Sequence, residues 1–94
     1  MTPETIFRLR IKGDVQGVGF RDWAIAEAHA RGLSGWVRNR SDGTVEMMIA
    51  GSHKSVEDML GAVTRGPPAA RVTSVDIRNE TEAPPLGFTR KATF

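Results

Sequence analysis

Cysteine is absent from the 94 residues, which excludes disulfides, thiolate nucleophiles and cysteine-based zinc sites. That absence is compatible with a reducing compartment. No apolar stretch approaches the roughly 18 residues of a membrane span. The amino end, "MTPETIFRLR", has no uninterrupted apolar run of the kind a secretory leader carries. A cytoplasmic protein with no membrane partner is the expectation. A strong charge of one sign is also lacking. Thirteen Lys and Arg against 11 Asp and Glu leave a formal charge of +2, mild attraction for small anions without the dense basic stripe of a nucleic-acid binder. Phosphate loops of the Walker type are missing because no Gly-Lys-Ser/Thr occurs, and no G-x-G-x-x-G spacing is present. There is no internal repeat and no linker long enough to divide the chain, so one domain spanning 1–94 is expected. A domain of this size buries about 60–70% of its unfolded surface, enough for one modest core and little deep cavity.

What is present alternates regularly. In "IFRLRIK" the apolar Phe7, Leu9 and Ile11 interleave with Arg8, Arg10 and Lys12, a strand with one buried face. A glycine-rich stretch follows, and then "RDWAIAEAHARG", an alanine-rich helix with Gly32 placed to stop it. "GWVRNR" and "TVEMMIAG" read as two strands joined by "SDG", a hairpin signal. Val56, Met59, Leu60 and Val63 form the apolar stripe of a second helix, capped by Ser52 or Ser55 and ended by "GPP" at 66–68. "ARVTSVDIRNE" supplies a fourth strand, and "GFTRKATF" a short terminal run after Pro84 and Pro85. The order βαββαβ predicts an α+β, ferredoxin-like sandwich: an antiparallel sheet with two helices on one face.

This topology makes two distant segments converge. A helix of about 12 residues descends roughly 18 Å, and a strand of about six climbs back roughly 20 Å. Asn39, at the far end of the second strand, therefore returns to the level of the glycine loop. Val37 and Asn39 are two apart and share a face, so if Val37 is turned toward the helices Asn39 is too.

The loop itself reads "KGDVQGVGFRDWA", residues 12–24, with Gly13, Gly17 and Gly19 ahead of Arg21. Glycine opens backbone conformations closed to other residues and lets main chain approach a ligand. The stretch runs into a helix amino terminus, where N–H groups lack helical partners and the dipole is positive. Such a place suits phosphate, and Arg21 adds a planar fork of donors that matches it. The competing reading is a plain packing turn with Arg21 solvated; residue chemistry alone leaves both open.

"GDVQGVGFR" (13–21) followed by "GWVRNRSDGTVE" (35–46) closely resembles the two signature segments of the acylphosphatases, and the likeness extends through "GPPAARV" to "GF" near the end. The resemblance implies a ferredoxin-like enzyme that hydrolyses the carboxyl–phosphate bond of acyl phosphates without metal, cofactor or covalent intermediate. It assigns phosphate binding to Arg21 and to the backbone N–H groups of Val15, Gln16, Gly17, Val18, Gly19 and Phe20. Orientation of the attacking water falls to Asn39. The expected partners are a small acyl phosphate, and inorganic phosphate or sulfate as site ligands, bound by a monomer. One departure stands out. The family usually ends in an alternating Phe-x-Ile-Arg strand, whereas this chain has Phe88-Thr89-Arg90-Lys91, which bears on how the last strand docks and supports the site.

Other side chains offer less. His29 and His53 sit on separate predicted helices with no neighbouring ligand at metal spacing, and a solvated structural role is expected for both. Trp23, Met47, Met48 and Met59 read as core packing. Arg8, Arg10, Lys12, Arg38 and Arg40 raise an RNA-binding sheet as an alternative, but base stacking needs displayed aromatics and only Trp36 shares their face. A further alternative is a stand-alone copy of the acylphosphatase-like domain that fronts carbamoyl-transfer enzymes. The chain's end at residue 94 weighs against it, although carbamoyl phosphate carries the same kind of bond.

Overall fold

The structure is a computed structural model that describes residues 4–94; residues 1–3, the start of the stretch read for a leader, lie outside it. Seven elements follow in order: β1 (Glu4–Asp14), α1 (Phe20–Ala30), β2 (Ser34–Asn39), β3 (Val45–Ser52), α2 (His53–Arg65), β4 (Arg71–Asn79) and β5 (Phe88–Arg90). The sheet order is β4-β1-β3-β2-β5. The first four strands are antiparallel as their sequence order predicts. The terminal strand is not: β5 runs parallel to β2, pairing Gly35 with Phe88 and Val37 with Arg90. The expected antiparallel sheet is thus made mixed by its short terminal strand, whose direction the element order left open. The segment after β4 crosses the sheet end to the opposite edge, and the only free neighbour there is β2, which already runs in β5's direction. No helix among the described residues is long and apolar enough to cross a membrane.

Strand alternation separates two faces. Leu9, Ile11, Val37, Val45, Met47 and Ile49 are fully buried on one, where Phe20, Ala24 and Ala28 of α1 and Val56, Met59, Ala62 and Val63 of α2 cover them. Each large aliphatic side chain sequestered in this way contributes about 1.5–3 kcal/mol. Trp23 meets Phe20 edge-on at 5.3 Å, as core packing requires. Leu60 lies at the margin of its stripe, half-buried against the core, and Val56, Met59 and Val63 make the central contact. Ser52 caps α2, its hydroxyl accepting from the Ser55 N–H at 3.2 Å.

β1 runs two residues beyond its sequence-predicted limits at each end because β3 and β4 pair along both of its sides. At its upper end a bulge between Lys12 and Gly13 turns the chain toward the glycine loop. A side chain at Gly13 would start 2.0 Å from the Arg71 carbonyl oxygen, so only glycine fits there.

The other face carries the basic residues and one buried carboxylate. Register sets Glu46 opposite both Arg10 on β1 and Arg38 on β2. Its oxygens meet Arg38 Nε at 2.6 Å, Arg40 Nη1 at 3.1 Å and Arg8 Nη1 at 3.4 Å. Burial by itself would raise the Glu46 carboxyl, but hydrogen bonds and charge from Arg38 and Arg40 outweigh it and hold the group below its usual value. The cluster joins three strands at the end where Asn39 emerges.

A group with a depressed folded pKa stabilises above its unfolded value and loses that contribution as pH falls through the folded one. Glu46→Gln, which leaves half-buried guanidinium groups uncompensated, is expected to cost about 1–3 kcal/mol at pH 7 in urea denaturation. Below the ordinary carboxylate value of 4.5 the gap between variant and parent narrows. A gap constant from neutral to acid pH would show that the carboxylate charge is not what holds the cluster.

Candidate active site

The loop between β1 and α1, with α1, β2 and β5, delivers residues to the same end of the helix-covered face. Val15, Gly17, Gly19, Phe20, Arg21 and Asn39 surround a single hollow of about 90 Å³, together with Asp22 and Arg90. Six of the eight residues expected at the site therefore share one cavity. Gln16 and Val18 belong to the same loop but do not line the hollow: Val18 packs on the core, and Gln16 turns the other way.

The loop's conformation follows from its glycines. Gly17 and Gly19 have φ of 73° and 77°, yet a side chain at either would meet nothing within 4 Å. Left-handed backbone, not lack of space, selects glycine here. Gly19 is also the N-cap of α1 and offers no side-chain oxygen to the first turn. Its carbonyl accepts from the Trp23 N–H at 3.1 Å, but among the described residues the loop's N–H groups, Val15 to Gly19, donate to no other main-chain group. They are clustered donors at the positive end of a helix, the arrangement that binds oxyanions.

Arg21 sits in that first turn and, among the described residues, forms no ion pair. Six of the other nine arginines are engaged with carboxylates, whereas this guanidinium lines the hollow with none. Asn39 closes the strand side. Its carbonyl oxygen accepts from the Phe94 N–H at 3.1 Å, fixing the backbone, while its carboxamide makes no protein hydrogen bond among the described residues. The hollow thus combines a cup of backbone donors, one uncommitted guanidinium and one amide able both to donate and to accept.

A second hollow, about 260 Å³, lies on the opposite sheet face among Arg8, Leu9, Arg10, Lys12, Glu46, Asp76 and Arg78. Size does not make it the better candidate, because Glu46 and Asp76 already occupy most of its cations. The RNA alternative meets a related obstacle. Trp36 is 6% exposed and lies beneath Arg38, Lys91 and Arg8, at 5.0, 4.6 and 5.7 Å from the ring centre. Cations cover that ring, and the exposed Phe94 ring is itself engaged by Arg38 and Arg40 at 4.5 and 5.0 Å. His29 and His53 lie away from the hollow; His29 Nε2 is 3.2 Å from the Phe88 carbonyl and His53 stands beside Glu57.

The family model Acylphosphatase matches residues 7–90. The chain belongs to the acylphosphatase family. Among curated relatives, an acylphosphatase of Rhizorhabdus wittichii is 48% identical over 86 residues, covering 92% of this chain and 87% of the relative. One from Acidiphilium cryptum is 51% identical over 87 residues, covering 90% and 93%. The solved acylphosphatase of Bacillus subtilis superposes with a TM-score of 0.88 at 34% identity, covering 93% of this chain and 98% of that one. The fold read from element order and the family read from the paired motifs are therefore both borne out.

Two contributions to this acylphosphatase-type hollow were not foreseen. Arg90 stands where the family pattern suggests an apolar residue, and its guanidinium pairs with Asp22 at the rim. Only the parallel docking of β5 on β2 reveals this, so the sequence signal was the anomaly at position 90 itself. The other is the Gln16 side chain. Its Nε2 donates to the carbonyls of Arg40 and Thr44, both at 2.8 Å, pinning the glycine loop to the hairpin that follows Asn39.

Both amide protons of Gln16 are used, so a carboxylate there would confront two carbonyl oxygens. Gln16→Glu is expected to destabilise the fold by about 2–3 kcal/mol and Gln16→Met by about 1–2 kcal/mol, measured by urea denaturation. If the glutamate variant proved no less stable than the methionine one, the two-carbonyl bridge would not be what fixes the loop.

Proposed function

We propose that this chain hydrolyses acyl phosphates to a carboxylate and inorganic phosphate, with Arg21 and the 15–20 loop holding the phosphoryl group and Asn39 orienting water. The observation that carries the reading is the meeting of an unpaired Arg21, unpaired loop N–H groups and the free Asn39 carboxamide around one hollow. Membership of the acylphosphatase family supports the substrate class.

The chemistry asks little of the protein beyond position and charge. An acyl phosphate is already activated, because its leaving group is a carboxylate. Backbone N–H groups and the Arg21 fork fit the equatorial oxygens and stabilise their charge as the phosphoryl group transfers. Asn39 accepts a hydrogen bond from water, aiming its oxygen at phosphorus. A bond from water oxygen to phosphorus forms as the bond to the acyl oxygen breaks; the pair of electrons leaves with the carboxylate. An amide is too weak a base to take the water proton, so that proton passes to a phosphoryl oxygen. Arg21 and the helix end supply the positive charge for which another enzyme would recruit a metal, and one copy of the chain contains every residue named. The reading accordingly includes metal-independent turnover by a monomer.

Phosphate release from benzoyl phosphate in the presence of a chelator tests the activity and its metal independence together. A carbamoyl-phosphate-binding module would bind without turnover. Arg21→Lys is expected to lose about 100-fold or more in kcat/KM, since a point charge cannot reproduce the bidentate fork. Near-normal turnover by a folded variant would remove Arg21 from its role. Asn39→Ala is expected to lower kcat by about 100-fold while inorganic phosphate binding changes little. Equal losses in both would make Asn39 an anchor for phosphate and not a guide for water.

A further inference from the structure

Resting on the acyl phosphate reading above, we infer that Arg90 selects for acyl phosphates whose acyl part carries a second negative charge. Arg90 lines the same hollow as Arg21 and Asn39. It lies on β5, paired with Val37 two residues before Asn39 on β2. The loop donors and Arg21 suffice for the phosphoryl oxygens, so this second guanidinium is surplus to phosphate binding.

Its present partner is a weak competitor. Asp22 is 79% exposed and the Arg90 side chain 42% exposed, so their ion pair stands in water at the rim. Exposed pairs of this kind are worth little and exchange readily. A substrate seated by its phosphoryl group extends its acyl part out of the cup, since Val15 and Phe20 are buried at its base. A carboxylate or phosphate on that part can displace Asp22 and take the planar fork bidentately. A neutral acyl group offers Arg90 nothing in exchange. An apolar residue at position 90, which the family resemblance suggests, could not make this distinction. Asp22 then acts as a placeholder: it keeps Arg90 at the rim when no anionic substrate is there, and it disfavours anions that cannot compete with it.

The test compares kcat/KM for benzoyl phosphate and for a carboxybenzoyl phosphate, which differ only in the added charge, and reads their ratio in each variant. In Arg90→Ile the ratio of charged to neutral substrate is expected to fall about two- to fivefold. In Asp22→Asn, with the competitor gone, it is expected to rise. Added salt should compress the ratio in the parent toward that of Arg90→Ile. Thermal unfolding of each variant separates lost selectivity from lost fold. A ratio unchanged in Arg90→Ile, or an equal fall on both substrates, overturns the inference while leaving acyl phosphate hydrolysis standing. Failure of the parent to hydrolyse benzoyl phosphate at all overturns the reading beneath it, and this one with it.

Discussion

The pairing of β2 with β3 governs what each side of this sheet can do. In the observed register Val37 meets Met47, Arg38 meets Glu46 and Asn39 meets Val45. Side chains alternate with a period of two, so a slip by one residue would exchange the faces. Asn39 would then point among the arginines, and Arg38 would enter the apolar layer beneath the helices. Two independent penalties oppose the slip: the Arg38 guanidinium buried away from its Glu46 partner, and Val37 lifted out of the core. The Glu46 cluster is remote from the hollow by face but adjacent to it along the strand. It helps to hold the strand end from which the carboxamide projects.

Arginine chemistry divides along the same boundary. On the open face Arg8, Arg10, Arg38 and Arg40 converge on Glu46, with the Trp36 ring beneath two of them. These charges are largely spent on one another and on the fold. On the helix-covered face Arg21 has no such partner, and Arg90 has only a solvated one. In a chain with a net charge of only +2, these two guanidinium groups are the cations that meet at the hollow. Net charge is a poor guide in such a molecule; the distribution of unpaired cations is the better one.

The parts legible in the sequence were those set by local rules. Alternation in "IFRLRIK" disclosed β1, and the i, i+3, i+4, i+7 spacing disclosed α2. Gly17 and Gly19 marked the left-handed turns of the loop, and element lengths alone returned Asn39 to Arg21's level. The features that escaped notice depend on contacts between distant segments. Gln16 was read for its backbone N–H, because nothing local says that its amide spans to Arg40 and Thr44. Glu46 looks like any outward-facing strand carboxylate until three arginine-bearing segments close round it. The parallel direction of β5 required knowing which sheet edge was still vacant.

Position 90 shows how a misfit with a pattern can carry information. A strand residue that ought to be apolar for packing costs little when it is arginine, provided its stem can cover apolar surface while the head reaches water. Arg90, with its side chain 42% exposed, sits on an edge strand of only three residues, whose inward anchor is Phe88 at 4% exposure. Packing is thus secured by one residue and does not depend on its neighbour but one. Once released from core duty, the second position is free to carry charge, and the fold directs that charge to the rim of the hollow. Edge strands beside a binding cavity are in this sense where a family can vary its selectivity most cheaply, because the backbone ladder sets position while the side chain has few neighbours to satisfy.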